Sequence, residues 1–255
     1  MARRALGLAL AAYAAWVAAT YLLEGLPGTL LRPEAVGLRL AYSAGAGLLL
    51  GILLPLWLLG RFVRAGLGAR EAFGFAGAKR TAAGVVLGAA AGYALFSLNF
   101  GTPFAPMALA NVFAQVWTVS VAEVLVCWAL VGGTIAARLR SWNRGAAPVI
   151  AALAASVLFG VYHFAHSPPF NEPRMVAFLV GIGLATSLWF FVSRDVYGTA
   201  VFHNFFAVTG VLDALQAQGL VPEHPALATP VWIMALVATL AVALPAARWV
   251  RRAPQ

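Results

Sequence analysis

The chain has 255 residues, 62% of them hydrophobic and only 10% charged. A soluble domain of this size is about a quarter charged, so there is too little polar surface here for a water-soluble globule and the solvent is read as lipid. The net charge of +9 does not point to nucleic acid, because the basic residues stand in short clusters between apolar runs; the single cysteine, Cys127, excludes an intramolecular disulfide and any cysteine-rich metal site.

The chain begins Met1-Ala-Arg-Arg and continues into an apolar run over residues 5–23. The basic start and Ala18-Ala19 have the look of a signal peptide, but the run is near full membrane length and is read as a retained first span. A bilayer core about 30 Å thick takes roughly 20 apolar helical residues. Seven further stretches meet that length, at 38–59, 82–98, 112–137, 148–166, 175–193, 196–215 and 229–247. Backbone polar groups in lipid must be satisfied internally, so these are expected as helices, and the strict alternation of barrel strands is missing. The predicted architecture is therefore an all-α polytopic bundle of about eight transmembrane helices, forming one integral-membrane domain over 1–255.

Charge orients the bundle. With the N-terminus in the cytoplasm, Arg3, Arg4, Arg61, Arg64, Arg70, Lys79, Arg80, Arg138, Arg140, Arg144, Arg194, Arg248, Arg251 and Arg252 fall on the inner side. Arg32, Arg39 and Arg174 fall on the outer side. This partition places both termini inside, and Trp57, Trp142 and Trp249 sit beside inner basic clusters as an interfacial belt. A chain with many arginines, one lysine and abundant Ala, Gly and Leu fits a GC-rich bacterial source, hence a bacterial cytoplasmic membrane. The loop over 61–80 is read as a topology anchor against anionic lipid. Gly84-x3-Gly88-x3-Gly92 and Gly47-x3-Gly51 predict seams where helices approach closely. The charge-free segment 101–110, with Pro103 and Pro106, is open to dipping into the membrane, and Glu223 and His224 are read as solvated loop residues.

The rare polar residues inside these spans are the candidates for function. Glu123 lies in a membrane-length apolar run with no basic residue within ten positions. A carboxylate at that depth costs roughly 2.5–3.5 kcal/mol on insertion scales, so it marks a polar interior or a protonated acid. His163 and His166 lie in Phe159-Gly-Val-Tyr162-His163-Phe-Ala-His166, and His203-Asn204 lies in the seventh span. One glutamate and two histidines suit two chemistries. The carboxylate can act as general base on water while imidazoles orient it and stabilise an oxyanion. Alternatively Glu123, His163 and His203 ligate a divalent metal such as zinc with an open fourth position; no HExxH accompanies them. His166 is read as interfacial, and Cys127 as a buried thiol.

The order of these motifs resembles the CPBP family, the CAAX proteases and bacteriocin-processing enzymes also called Abi. Its motifs are Glu-Glu-x3-Arg, Phe-x3-His and His-x3-Asn or Asp. Phe159 and His163 match the second, His203 matches the His of the third, and Phe178-Leu-Val-Gly-Ile-Gly183 through Tyr197-Gly198 resembles the approach to it. The likeness covers about residues 115–210. Departures are plain: Ala122 or Val124 replaces one glutamate, Cys127 or Trp128 the arginine, and Ala207 the Asn, with Asn204 about 100° away from His203 on a helix.

The resemblance implies an intramembrane endopeptidase with Glu123, His163 and His203 as catalytic residues and Phe159, Tyr162, His166 and Asn204 in support. It acts without a cofactor or with a divalent metal, on a membrane-associated polypeptide. Two other readings stand beside it: a catalytically degenerate relative serving as membrane scaffold or immunity factor, and a transporter or proton relay.

Overall fold

A computed structural model of the chain describes residues 2–32, 34–99, 106–220 and 229–251. Every regular element among them is helical. Seven helices are long and apolar enough to cross a membrane. In chain order the helices are α1 (Arg4–Gly25), α2 (Val36–Arg64), α3 (Ala78–Asn99), α4 (Pro106–Leu139), α5 (Ala146–Ala165), α6 (Pro173–Ser193), α7 (Val196–Ala217) and α8 (Thr229–Arg251). The eighth expected stretch is helical as α8, but its apolar part, Pro230–Pro245, falls short of the seven that are long enough to cross. Residues 101–105, together with Glu223 and His224, lie outside the described residues.

The most apolar sequence takes the centre. Along α4 every side chain from Val124 to Val131 is fully buried, so α4 is the axis of the bundle, with α1, α2, α5, α7 and α8 packed on it and α3 packed on α7. Burial follows helical period on the periphery: Ala5, Ala9, Ala12 and Trp16 form the inward stripe of α1, while Leu8 and Leu10 face outward. Exposed leucines, valines and phenylalanines on the outer faces of α3, α5, α6 and α8 form the apolar coat that a lipid solvent requires.

Both glycine seams are used. A Cβ on Gly88 would strike the Gly198 carbonyl, one on Gly198 would strike Gly84, and one on Gly92 would strike the Phe205 ring. The spacing thus lets the α3 and α7 backbones touch. Gly51 does the same for α2 against Ala122 of α4, and Gly47 against Thr118. Asp195 starts α7: Oδ1 accepts from the Gly198 backbone N–H at 2.6 Å as an N-cap, and Oδ2 accepts from Thr81 Oγ1 at 2.6 Å, tying in α3.

The two ends of the bundle differ. Arg140, Arg144 and Arg194 surround one small pocket with Ala72, and Arg80 donates to the Val192 carbonyl. Between α2 and α3, Arg70–Phe73 forms a short 3₁₀ turn, and Phe73 and Phe75 are buried rather than lying on a lipid surface. Arg61 sits over the Trp57 ring at 4.8 Å. At the opposite end Arg39, placed outside by charge counting, is itself buried. Its guanidinium donates to the Thr29 and Arg32 carbonyls and to Gln115 Oε1, which pins the α1–α2 loop against α4.

A buried glutamate and histidine centre

Three helices bring one acid and two imidazoles together. Glu123 lies in α4 directly before a π-helical stretch, Val124–Gly132, a backbone form often found at functional sites. Its Oε2 is 2.9 Å from His203 Nε2 of α7, and its Oε1 is 3.9 Å from His163 Nε2 at the end of α5. All three are buried. Straight helices of equal depth would spread these groups vertically. They meet because α4 has 34 residues against 20 to 22 in α5, α6 and α7, so its middle reaches the far end of α5.

Donor and acceptor counting fixes how each ring is held. His163 Nδ1 is 2.8 Å from the Phe159 carbonyl, which only accepts, so Nδ1 carries the proton and neutral His163 turns a bare Nε2 toward Glu123. His203 Nδ1 is 2.9 Å from Thr186 Oγ1, which also lies 3.0 Å from the Ile182 carbonyl. However Thr186 shares its one proton, a proton must lie between His203 Nε2 and Glu123 Oε2, since two bare lone pairs do not close to that distance. The gap of 3.9 Å to His163 is too long for a direct hydrogen bond and leaves room for a bridging small species.

Aromatic side chains wall the centre. The Phe159 ring lies 5.0 Å from the His203 ring, 4.7 Å from His163 and 5.2 Å from Trp128. Tyr162 is fully buried, stacked on Trp16 at 3.9 Å, with its hydroxyl 3.1 Å from that of Tyr42; it supports the wall. Asn204 turns away, donating to the Phe113 carbonyl at 3.3 Å. Cys127 is buried and free. Ala122, where a second motif glutamate would fall, is fully buried against Gly51; no carboxylate fits there without moving α2.

His166 corrects the interfacial expectation. It is buried, and its ring stacks on His163 at 5.1 Å. Its Nδ1 is 2.9 Å from Glu24 Oε2, in a contact too bent for a full hydrogen bond, and its Nε2 has no partner. Glu24, in a π-helical turn closing α1, also accepts from the Ser167 backbone N–H at 2.9 Å and from Ser167 Oγ at 2.6 Å. Sequence reasoning missed Glu24, Ser167 and Thr186. The lone acid in Tyr21-Leu-Leu-Glu24-Gly25, at the same membrane end as His166, was the available signal. Among the described residues, Glu123, His163 and His166 each offer one ligand atom, all within 4.8 Å of one another, a spacing that could hold a metal ion.

The centre closes one end of a cavity of about 470 Å³. Glu123, His163, His166 and His203 line it together with Ser120 and Phe159, while its long walls are apolar and include Phe178, Ile182, Phe202 and Phe206. Asn99 and Asp213, 3.4 Å apart, stand at the other end. Neither a family model nor a curated protein nor a solved structure matches this chain.

Proposed function

We propose that this chain is an intramembrane endopeptidase of the CPBP type. The observation that carries the reading is Glu123 with one carboxylate oxygen on His203 and the other facing the bare nitrogen of His163, at the end of a largely apolar cavity. A water between Glu123 Oε1 and His163 Nε2 gives one hydrogen to each acceptor and aims a lone pair into the cavity. Glu123 takes the proton as that water attacks a peptide carbonyl, and His203, held by Thr186 on one nitrogen and on Glu123 Oε2 by the other, fixes the carboxylate for that task. The apolar walls accept the side chains of a membrane-associated polypeptide and keep bulk water from the charged centre. The one-acid site is consistent with the packing of Ala122, since the geometry asks for a single base.

Cleavage of a membrane-delivered peptide library in proteoliposomes tests the reading. Glu123→Gln and His203→Ala each lower the rate at least about 100-fold, the usual worth of a positioned general base, with protein level and elution unchanged. Cleavage by these variants at the wild-type rate would remove the endopeptidase reading. Wild-type biological function surviving Glu123→Ala would instead favour the scaffold.

A further inference from the structure

We infer that Arg140, Arg144 and Arg194 form a binding site for the phosphate group of an anionic phospholipid, in the leaflet at the basic end of the bundle. The site is separate from the glutamate and histidine centre and does not rest on the endopeptidase reading.

The three guanidiniums come from three helix ends. Arg140 directly follows α4, Arg144 precedes α5 and Arg194 directly follows α6, and all three line one pocket of about 50 Å³. A pocket of that size takes a phosphate group but not a nucleotide. Charge is unbalanced around it. Among the described residues the arginine–carboxylate pairs are Arg32 with Glu34 and Arg70 with Glu71, so no acid answers these three. The acids nearest to the pocket residues in sequence are engaged elsewhere: Glu71 holds Arg70, and Asp195 accepts from the Gly198 N–H and from Thr81 Oγ1. Like charges gathered at one concavity repel one another, and an anion shared between them removes the repulsion. Planar guanidiniums match phosphate oxygens in bidentate pairs.

The backbone at Arg194 is a second kind of evidence. It ends α6 with φ 50° and ψ 42°, the left-handed conformation, and among the described residues it is the only non-glycine with positive φ. Glycine is the usual occupant of such a helix end, since an L side chain is strained there. A cation elsewhere in the last turn would complement the helix dipole equally well. Arginine at this position instead keeps a guanidinium at the pocket despite the strain.

The rim points to lipid as the source of the phosphate. Pro148 and Phe191 line the pocket, and the next residues along, Val149 and Val192, are exposed members of the apolar coat. Acyl chains can therefore continue from the pocket along α5 and α6. Trp142, exposed and placed between Arg140 and Arg144 in sequence, suits the headgroup level. Basic pockets between transmembrane helices at the cytoplasmic side are suited to such headgroups.

The experiment uses the full chain, delipidated in detergent and followed by native mass spectrometry with dioleoyl phosphatidic acid, dioleoyl phosphatidylcholine or inorganic phosphate added. The expected result is one tightly held phosphatidic acid per chain, with phosphatidylcholine at least about tenfold weaker. Inorganic phosphate at matched concentration does not displace the lipid. Arg140→Gln and Arg194→Gly each weaken phosphatidic acid binding at least about tenfold. Arg61→Gln removes the same charge from a side chain lying over Trp57 and leaves binding unchanged. Arg194→Gly also separates ligand from fold: with the left-handed strain relieved, its lipid-free thermal midpoint is equal or higher while binding is lost. If Arg140→Gln does not elute as a single species, Arg194→Gly decides. Equal binding of the two lipids, displacement by inorganic phosphate, equal weakening by Arg61→Gln, or full binding by Arg194→Gly overturns the inference.

Discussion

Phe159 serves the centre twice, through a carbonyl that fixes the His163 tautomer and a ring that packs against both His163 and His203. Thr186 has a narrower task. Its hydroxyl is what His203 Nδ1 touches, and it reaches no other part of the centre. Thr186→Val keeps the shape and strands that nitrogen, at about 1–3 kcal/mol. Steady-state cleavage should then show kcat falling about 5- to 150-fold with KM little changed, and Thr186→Ser should restore it. An unchanged kcat in the valine variant would mean that His203 needs no such orientation. At this scale Glu123, His163 and His203 were legible because charge and imidazole are scarce in apolar spans. Glu24 and Thr186 were not. An acid at a span end resembles ordinary interfacial decoration, and a threonine in a helix usually bonds its own backbone; only the packing of α1 on α5 and of α6 on α7 reveals their partners.

Helix pairing explains how the centre is held. The seam of Gly84, Gly88 and Gly92 was readable from its spacing, but its partner was not, since small-residue patterns fix closeness and leave identity open. The partner is α7, which carries His203, and the contact is backbone to backbone at Gly198. Gly88→Leu forces the two helices apart and should cost about 1–3 kcal/mol as overpacking, seen as a lower midpoint of thermal unfolding in detergent. Gly77→Ala, where an added Cβ meets nothing within 4 Å, is the matched control. Asp195→Ala removes both the α7 N-cap and the acceptor for Thr81. The cap alone is worth about 1 kcal/mol; the same thermal assay should show a loss at least that large, and no loss would mean that α7 does not need its cap.

Across the whole molecule, the clustering of arginines at one end sets the direction in which the cavity faces. Arg140, Arg144 and Arg194 share the basic end, whereas Asn99 and Asp213 stand at the far end of the cavity. On the positive-inside rule we propose that the cavity opens away from the cytoplasm. Because Cys127 is fully buried, a Cys127→Ser background allows single exposed cysteines to be read cleanly. Asp213→Cys should react with a membrane-impermeant maleimide added outside intact cells, and Arg140→Cys only after lysis; the opposite pattern would invert the bundle. The helical, lipid-bounded architecture was legible from composition and run length. The convergence of the centre was not, because it depends on the excess length of α4 relative to its neighbours.

Isotope incorporation probes the central claim most directly. A peptide library is incubated with reconstituted wild-type chain and with Glu123→Gln in ¹⁸O-enriched water, and new C-termini are examined by mass spectrometry. One ¹⁸O per new carboxyl group with the wild type, and none above background with Glu123→Gln, is the predicted result. Equal labelling with both proteins, or no labelled C-termini from the wild type, would contradict the account.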